Sequence, residues 1–268
     1  MRRQVQHIGW VVVGLLAFTA QAEARPLTMR MAERAIDRGF YAELAGDYAG
    51  ARDALRGLSD TSTLAEDAPG RARIATWLRG LDEREAAFSQ LGKTAQGYAR
   101  AYATLREFGP SREDLLWGRA LRDVQGLKAA QTDHGVVLRP DLLKGVEPGD
   151  VGIDRLRQYL SQRGVKVGEG GRFEVRINLD ASQVGEVAGG RRVIGETSFV
   201  LRDLQHKNEV VGSLSKSRAE VRRQTDAARR FVIRRVMDDA GHALVFCFRA
   251  QLLEDAANFD SNFKVRSN

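Results

Sequence analysis

Residues 172–181 read RFEVRINLDA, with Phe173, Val175, Ile177 and Leu179 alternating with Glu174, Arg176, Asn178 and Asp180. A period of two that separates apolar from polar positions this cleanly is the pattern of a β-strand with one buried face and one wet face. Downstream, Gly189-Gly190 supplies a hairpin turn, and RRVIGETSFVL places Val193, Thr197, Phe199 and Leu201 on a second strand. The turn segment 203–208 then leads into EVVGSLSKSRAEV, a third strand. The expected sheet is an antiparallel meander of three strands, extended to as many as five by short strands near Val136-Val137 and Val165-Val167.

Two helices flank this meander. In IDRLRQYLSQR, residues 153–163, the apolar positions Ile153, Leu156, Tyr159 and Leu160 have the spacing of a helix with one buried face, and Gly164 closes it as a C-terminal cap. After the sheet, Thr225-Asp226 caps a long helix on which Val232, Val236, Ala240, Ala243, Cys247, Ala250 and Leu253 recur every three or four residues. Gly241 is a candidate bend. The run ALVFCF, residues 243–248, is apolar all round and suits either a helix or a short central strand, because periodicity alone does not separate the two. Residues 258–268 read as a flexible tail.

Ahead of the sheet, residues 29–130 are rich in Ala, Leu, Arg and Glu and poor in β-branched residues, a composition that favours helix. Breaks are expected at Gly46-Asp47, at 59–62, near Gly80 and at 109–111, where Ser111 would cap a helix with Asp114 at its third position. Four or five helices packed as antiparallel hairpins follow. Within the first hairpin, GFYAELAGDYAGARDAL (39–55) carries Gly39, Gly46-Asp47-Tyr48, Ala51 and Leu55, and this unit resembles the tetratricopeptide repeat. The resemblance implies close helix approach at the small residues and a docking surface that includes Tyr41 and Tyr48. It departs from the family at Ala42, where an aromatic is usual, and no Pro closes the unit. One period on, Trp77 to Asp82 and Ala86-Ala87-Phe88 give an echo of the pattern.

The chain opens with MRRQVQH, an apolar run IGWVVVGLLAFTA, and a small-x-small site at Ala22 and Ala24. This is the layout of a secretory signal peptide cleaved after Ala24, and the apolar run falls short of the roughly 20 residues that span a bilayer as a helix. A periplasmic or secreted location is expected. Cleavage removes Arg2, Arg3 and Glu23, so the net charge of +7 becomes +6 and the mature chain stays basic. The lone Cys247 excludes an intramolecular disulfide and reads as a small buried hydrophobe. The expected organisation is a signal peptide (1–24), a tetratricopeptide-like helical domain (25–130), a linker (131–150), an α+β domain (151–257) and the tail (258–268).

Motifs for chemistry are sparse. The stretch AFSQLGKT, residues 87–94, ends like a phosphate loop, but Ala87 stands where that loop needs Gly, so no nucleotide and no cofactor is expected. His134, His206 and His242 are isolated in the sequence, which leaves no expected metal site. Glu174, Asp180, Glu186 and Glu196 are spread along the meander among arginines and read as its solvated face. The basic cluster Arg218, Arg222, Arg223, Arg229, Arg230, Arg234 and Arg235 is denser, and Arg223, Arg230 and Arg234 are expected on one helical face. Arginine makes planar bidentate contacts with phosphate or carboxylate, so this face is a candidate contact for an anionic partner. Only Phe231 interleaves with it, which argues against nucleic acid.

From about residue 135 to 255, a helix, the meander "VRINLDAS…ETSFVLRDLQHKNEVVGSLSKS" and an Arg/Ala-rich helix resemble the small α/β domain of periplasmic envelope accessory proteins. These are of the penicillin-binding-protein activator, curli-secretion and flagellar outer-ring types. The lipoprotein Cys of those families has no counterpart here. The resemblance implies a non-enzymatic adaptor, with no site residues to carry over. The leading expectation is therefore an exported adaptor or assembly factor that binds an envelope protein or cell-wall component. The alternatives are an extracytoplasmic cell-wall hydrolase, which needs two carboxylates or a carboxylate and a His facing each other in a cleft, and an anion- or lipid-binding module that uses residues 218–235 against an anionic membrane surface.

Overall fold

The strand of residues 172–181 forms as its alternation predicts. In the computed structural model, which describes residues 29–59, 69–104, 110–146, 152–187 and 189–266, Phe173, Val175, Ile177 and Leu179 are all fully buried on one face of a four-stranded sheet. The elements in chain order are α1 (Met29–Ala45), α2 (Tyr48–Ser59), α3 (Pro69–Leu91), α4 (Ala95–Ala103), α5 (Pro110–Asp123), α6 (Leu127–Asp133), β1 (Val136–Lys144), α7 (Gly152–Gln162), β2 (Phe173–Val187), β3 (Gly190–Asp203), β4 (Glu209–Arg222) and α8 (Thr225–Arg266). The fold class is α+β: helices first, then a sheet backed by helices. The expected signal peptide, residues 60–62 and 109 of the expected breaks, and the end of the expected linker lie outside the described residues.

Strand order is β1-β2-β3-β4. The β2–β3 and β3–β4 pairs are antiparallel, with Phe173 opposite Asp203 and Arg191 opposite Arg222. β1 pairs parallel to β2, with Val136 beside Phe173, after a crossover that contains α7. Residues 131–150 are thus no plain linker: they hold the end of α6 and all of β1. The register of β1 slips between Pro140 and Leu142, consistent with an edge strand in which proline has no N–H to give the ladder. The Val165–Val167 segment contributes one bridge, Val136 to Val167, and no full strand.

α8 is the spine. It packs on β3 and β4, closely at Gly195, where a Cβ would stand 2.2 Å from Val232 Cγ1. ALVFCF is helical, and its all-round apolarity comes from burial on two sides. Phe248 meets Phe173 of the sheet edge-on at 5.4 Å, while Phe246 stacks on Tyr102 of α4 at 4.9 Å. Gly241 does not interrupt the helix. It leaves room for the Tyr159 ring of α7, since a Cβ would meet Tyr159 Cδ1 at 2.6 Å. The helix also continues to Arg266, so the expected tail at 258–268 is helical through that residue; no Gly or Pro follows Gly241 to stop it.

One buried cluster runs from Ala95 and Tyr98 through Trp117, Leu127, Leu156 and Phe199 to Leu253, so α4, α5 and α6 share their core with the sheet. α1–α3 close smaller clusters of their own around Leu55 and Trp77 and around Ala51 and Leu81. Their first hairpin forms as expected. Gly46 takes a left-handed φ of 84°, Asp47 Oδ1 accepts a hydrogen bond from the Gly50 amide at 2.8 Å, and a Cβ on Gly39 would meet Leu55 Cγ at 2.9 Å. The repeat does not recur. Gly80 and the echo from Trp77 to Phe88 lie inside the unbroken helix α3, where a second unit would need its turn.

Candidate functional site

The arginine cluster straddles the end of β4 and the first turns of α8. Arg223 precedes α8, which starts at Thr225, so it sits in the β4–α8 turn and not on a helical face with the other two. Arg230 and Arg234 are one turn apart on the solvent side of α8. All three side chains are exposed, and none forms an ion pair among the described residues. Their neighbours are different. Arg218 holds Asp239 at 2.7 Å, Arg222 holds Glu220 at 3.0 Å, and Arg229 lies 3.5 Å from Asp226. Between them the Phe231 ring carries Arg222 at 4.5 Å and Arg235 at 5.1 Å from its centroid, which fixes the aromatic under cationic cover.

Tyr41 and Tyr48 part company. Tyr41 is 65% exposed, whereas Tyr48 is 8% exposed and packs its ring 6.3 Å from that of Phe88 in α3. Burial first, and then the Glu43 carboxylate, push the Tyr48 hydroxyl up to about 12, so it stays neutral. Tyr48 is therefore part of the hairpin's core and not of a docking surface with Tyr41. Accordingly, Tyr48→Ala should destabilise the protein by about 3 kcal/mol in urea unfolding, the range for a truncated core aromatic. Tyr41→Ala should stay within about 0.5 kcal/mol, as exposed positions do.

Among the sheet's carboxylates, Asp180 of β2 stands directly opposite Glu196 of β3 and accepts from the Ser182 amide at 2.8 Å, while Glu174 pairs with Arg176 at 2.9 Å and Glu186 pairs with Arg191. The fold also brings together two carboxylate–imidazole pairs that the sequence order separates. His242 Nε2 of α8 stands 3.0 Å from Glu113 Oε2 of α5, and His206 Nδ1 stands 2.7 Å from Asp203 Oδ2 at the end of β3. Both carboxylates are buried and already engaged by arginine. Arg249 donates to Glu113 at 2.8 Å and to Asp114 at 2.7 Å, and the Tyr102 hydroxyl also donates to Glu113. Arg172 donates through Nε to Asp203 at 2.9 Å and reaches Asp255 through Nη1. The one sequence signal for the first network is Arg249 itself, a charge directly after an apolar run that a buried helix tolerates only with a partner. Nothing in the local sequence names Glu113 as that partner, 136 residues away.

Gly92-Lys93-Thr94, the phosphate-loop look-alike, is the α3–α4 turn: Gly92 adopts φ 63° and Thr94 Oγ1 caps α4 by accepting from the Gly97 amide at 3.2 Å. Cys247 is half-buried over Gly212 of β4, where a Cβ would lie 2.5 Å from its Sγ. Among the described residues, no group of three or more His, Cys, Asp or Glu side chains is placed to hold a metal ion, and no helix is long and apolar enough to cross a membrane.

No family model matches the chain, and no curated protein matches it. Several solved structures align with a part of the chain. A minor lipoprotein from Acinetobacter baumannii aligns at 15% identity over 42% of this chain and 92% of its own, with a TM-score of 0.34. A Xanthomonas campestris protein of family DUF330 aligns at 14% identity over 44% of this chain and 86% of its own, with a TM-score of 0.36. The PelC dodecamer from Paraburkholderia phytofirmans gives 14% identity over 42% and 89%, with a TM-score of 0.32.

Proposed function

We propose that this protein is an exported, non-catalytic adaptor of the cell envelope that docks an anionic partner on the arginine surface at the start of α8. The observation that carries the reading is the contrast within that cluster. Arg218, Arg222 and Arg229 are matched with carboxylates, while Arg223, Arg230 and Arg234 are exposed with none among the described residues. Each unmatched guanidinium retains its donors for phosphate or carboxylate oxygens. The signal-peptide pattern of residues 1–24 supports an envelope setting. The non-catalytic reading is supported by the fate of the two carboxylate–imidazole pairs, since Glu113 and Asp203 are each committed to a buried arginine.

Two measurements test it. Fractionation of expressing cells should place a chain shortened by its first 24 residues outside the cytoplasm. That processed chain should be retained on immobilised polyphosphate or polyglutamate at low salt and released as salt rises, because exposed charge contacts are screened. The triple variant Arg223→Ser/Arg230→Ser/Arg234→Ser should elute much earlier. A chain that stays cytoplasmic, or retention that ignores the three substitutions, would end this reading.

A further inference from the structure

The far end of the sheet combines unmatched arginine with exposed aliphatic side chains. The β2–β3 turn and the β4–α8 turn meet there: Val187 lies opposite Gly190, Arg192 opposite Val221, and a Cβ on Gly190 would come 2.5 Å from the Arg222 carbonyl oxygen. Val184, Val187 and Val221 are 43%, 39% and 48% exposed, far more than the sheet's interior valines. Opposed residues share a face, and Gly195, two positions beyond Val193, abuts Val232 of α8. Val193 and its partner Val184 therefore face α8, while Val187, Arg192 and Val221 face away from it. Charge at this end is strongly one-sided. Its carboxylates Glu186, Glu220 and Asp226 are matched with Arg191, Arg222 and Arg229, which leaves Arg192, Arg223 and Arg230 exposed and without an ion pair among the described residues.

We infer that this end of the sheet rests on an anionic lipid bilayer, with Val187 and Val221 dipping into the headgroup layer and Arg192, Arg223 and Arg230 bound to lipid phosphates. The inference rests on the adaptor reading and names its anionic partner. A bilayer fits these features because it offers both things the surface lacks, a plane of negative charge and an apolar layer just beneath it. Small aliphatic side chains at the ends of β2 and β4 enter that layer without the preformed groove a protein partner would fill. Two isolated valines bury little area, so charge carries most of the binding and the attachment is reversible and salt-sensitive.

The test uses the processed chain recovered from the extracytoplasmic fraction, because an uncleaved signal segment would itself bind lipid. It should co-sediment with vesicles containing phosphatidylglycerol and not with vesicles of phosphatidylcholine alone. Each basic side chain at an anionic surface contributes a factor of about five, so Arg192→Ser/Arg223→Ser/Arg230→Ser should weaken partitioning about 100-fold. Val187→Asp/Val221→Asp, at exposed positions where folding is not at stake, should weaken it at least tenfold with an unchanged thermal melt. Soluble polyphosphate should displace the chain only in part, since it satisfies the arginines and not the valines. Full displacement, equal binding to both vesicle types, or indifference to the valine substitutions would overturn the lipid assignment. Retention on polyphosphate with no vesicle binding would do the same while leaving the adaptor reading intact, whereas failure of export would remove both.

Discussion

Arg249→Ala should lower the stability of the protein by about 3–5 kcal/mol, one of the largest effects of any single polar substitution in this fold. Arg249 of α8 is 3% exposed and holds Glu113 and, together with Arg163, Asp114 of α5, with its Nη2 also 3.4 Å from the Arg163 carbonyl oxygen after α7. Removing it leaves the 1% exposed Glu113 buried beside Tyr102 and His242 without its main counter-charge. An orphaned buried charge costs far more than the intact pair contributes, so Glu113→Ala should be comparably severe. The paired replacement Glu113→Leu/Arg249→Met should recover most of the loss, because it removes both desolvated groups together. Urea unfolding of the four proteins compares the cost of orphaning either charge with the cost of removing both. Single variants within about 1 kcal/mol of the parent would show that the network is solvated and dispensable. The result also bears on architecture, since Glu113 belongs to the helical half and Arg249 to the helix that backs the sheet.

That network explains where sequence reading stops. The sheet was readable because its signal is local: Phe173 to Asp180 alternate within eight positions, and Gly189-Gly190 marks the turn. The α1–α2 hairpin was readable for the same reason, through Gly39 and Gly46-Asp47. ALVFCF was ambiguous because Phe246 and Phe248 answer to different neighbours, α4 and β2, and two-sided burial erases the helical period. Tyr48 misled because the residue that opens α2 looks alike whether it faces solvent or Phe88, and α3 decides which. Helical spacing misled for Arg223, although the cap at Thr225-Asp226 already sets it ahead of α8, where that spacing does not apply. Pairings such as Glu113 with His242 arise only from tertiary contact, and no spacing rule along the chain reaches them.

The second large effect concerns Asp203 and carries a pH signature. Its side chain is 1% exposed, accepts two donors from Arg172, is bonded to His206 and accepts the Gln205 amide at 2.9 Å. Burial alone would raise its carboxyl, but the hydrogen bonds from Arg172, His206 and the Gln205 amide outweigh burial and hold it well below the usual carboxylate range. The unfolded chain, with a carboxyl near ~3.9, therefore binds the proton more readily than the folded one. The stabilisation is thus complete above about pH 5, and it is lost as pH falls through the unfolded value toward the depressed folded one. Arg172 also reaches Asp255 of α8 and covers the Phe173 ring at 4.7 Å, so this cluster ties the start of β2 and the end of β3 to the spine helix. Asp203→Asn should cost about 3 kcal/mol at pH 7, in line with breaking a buried pair. The difference from the parent should shrink steadily as urea titrations move from pH 5 to pH 3, because the parent gives up the charge that the variant never had. A gap that stays constant over that interval would mean that Asp203 acts through shape and hydrogen bonding alone, and that its charge contributes nothing to holding β3 against α8.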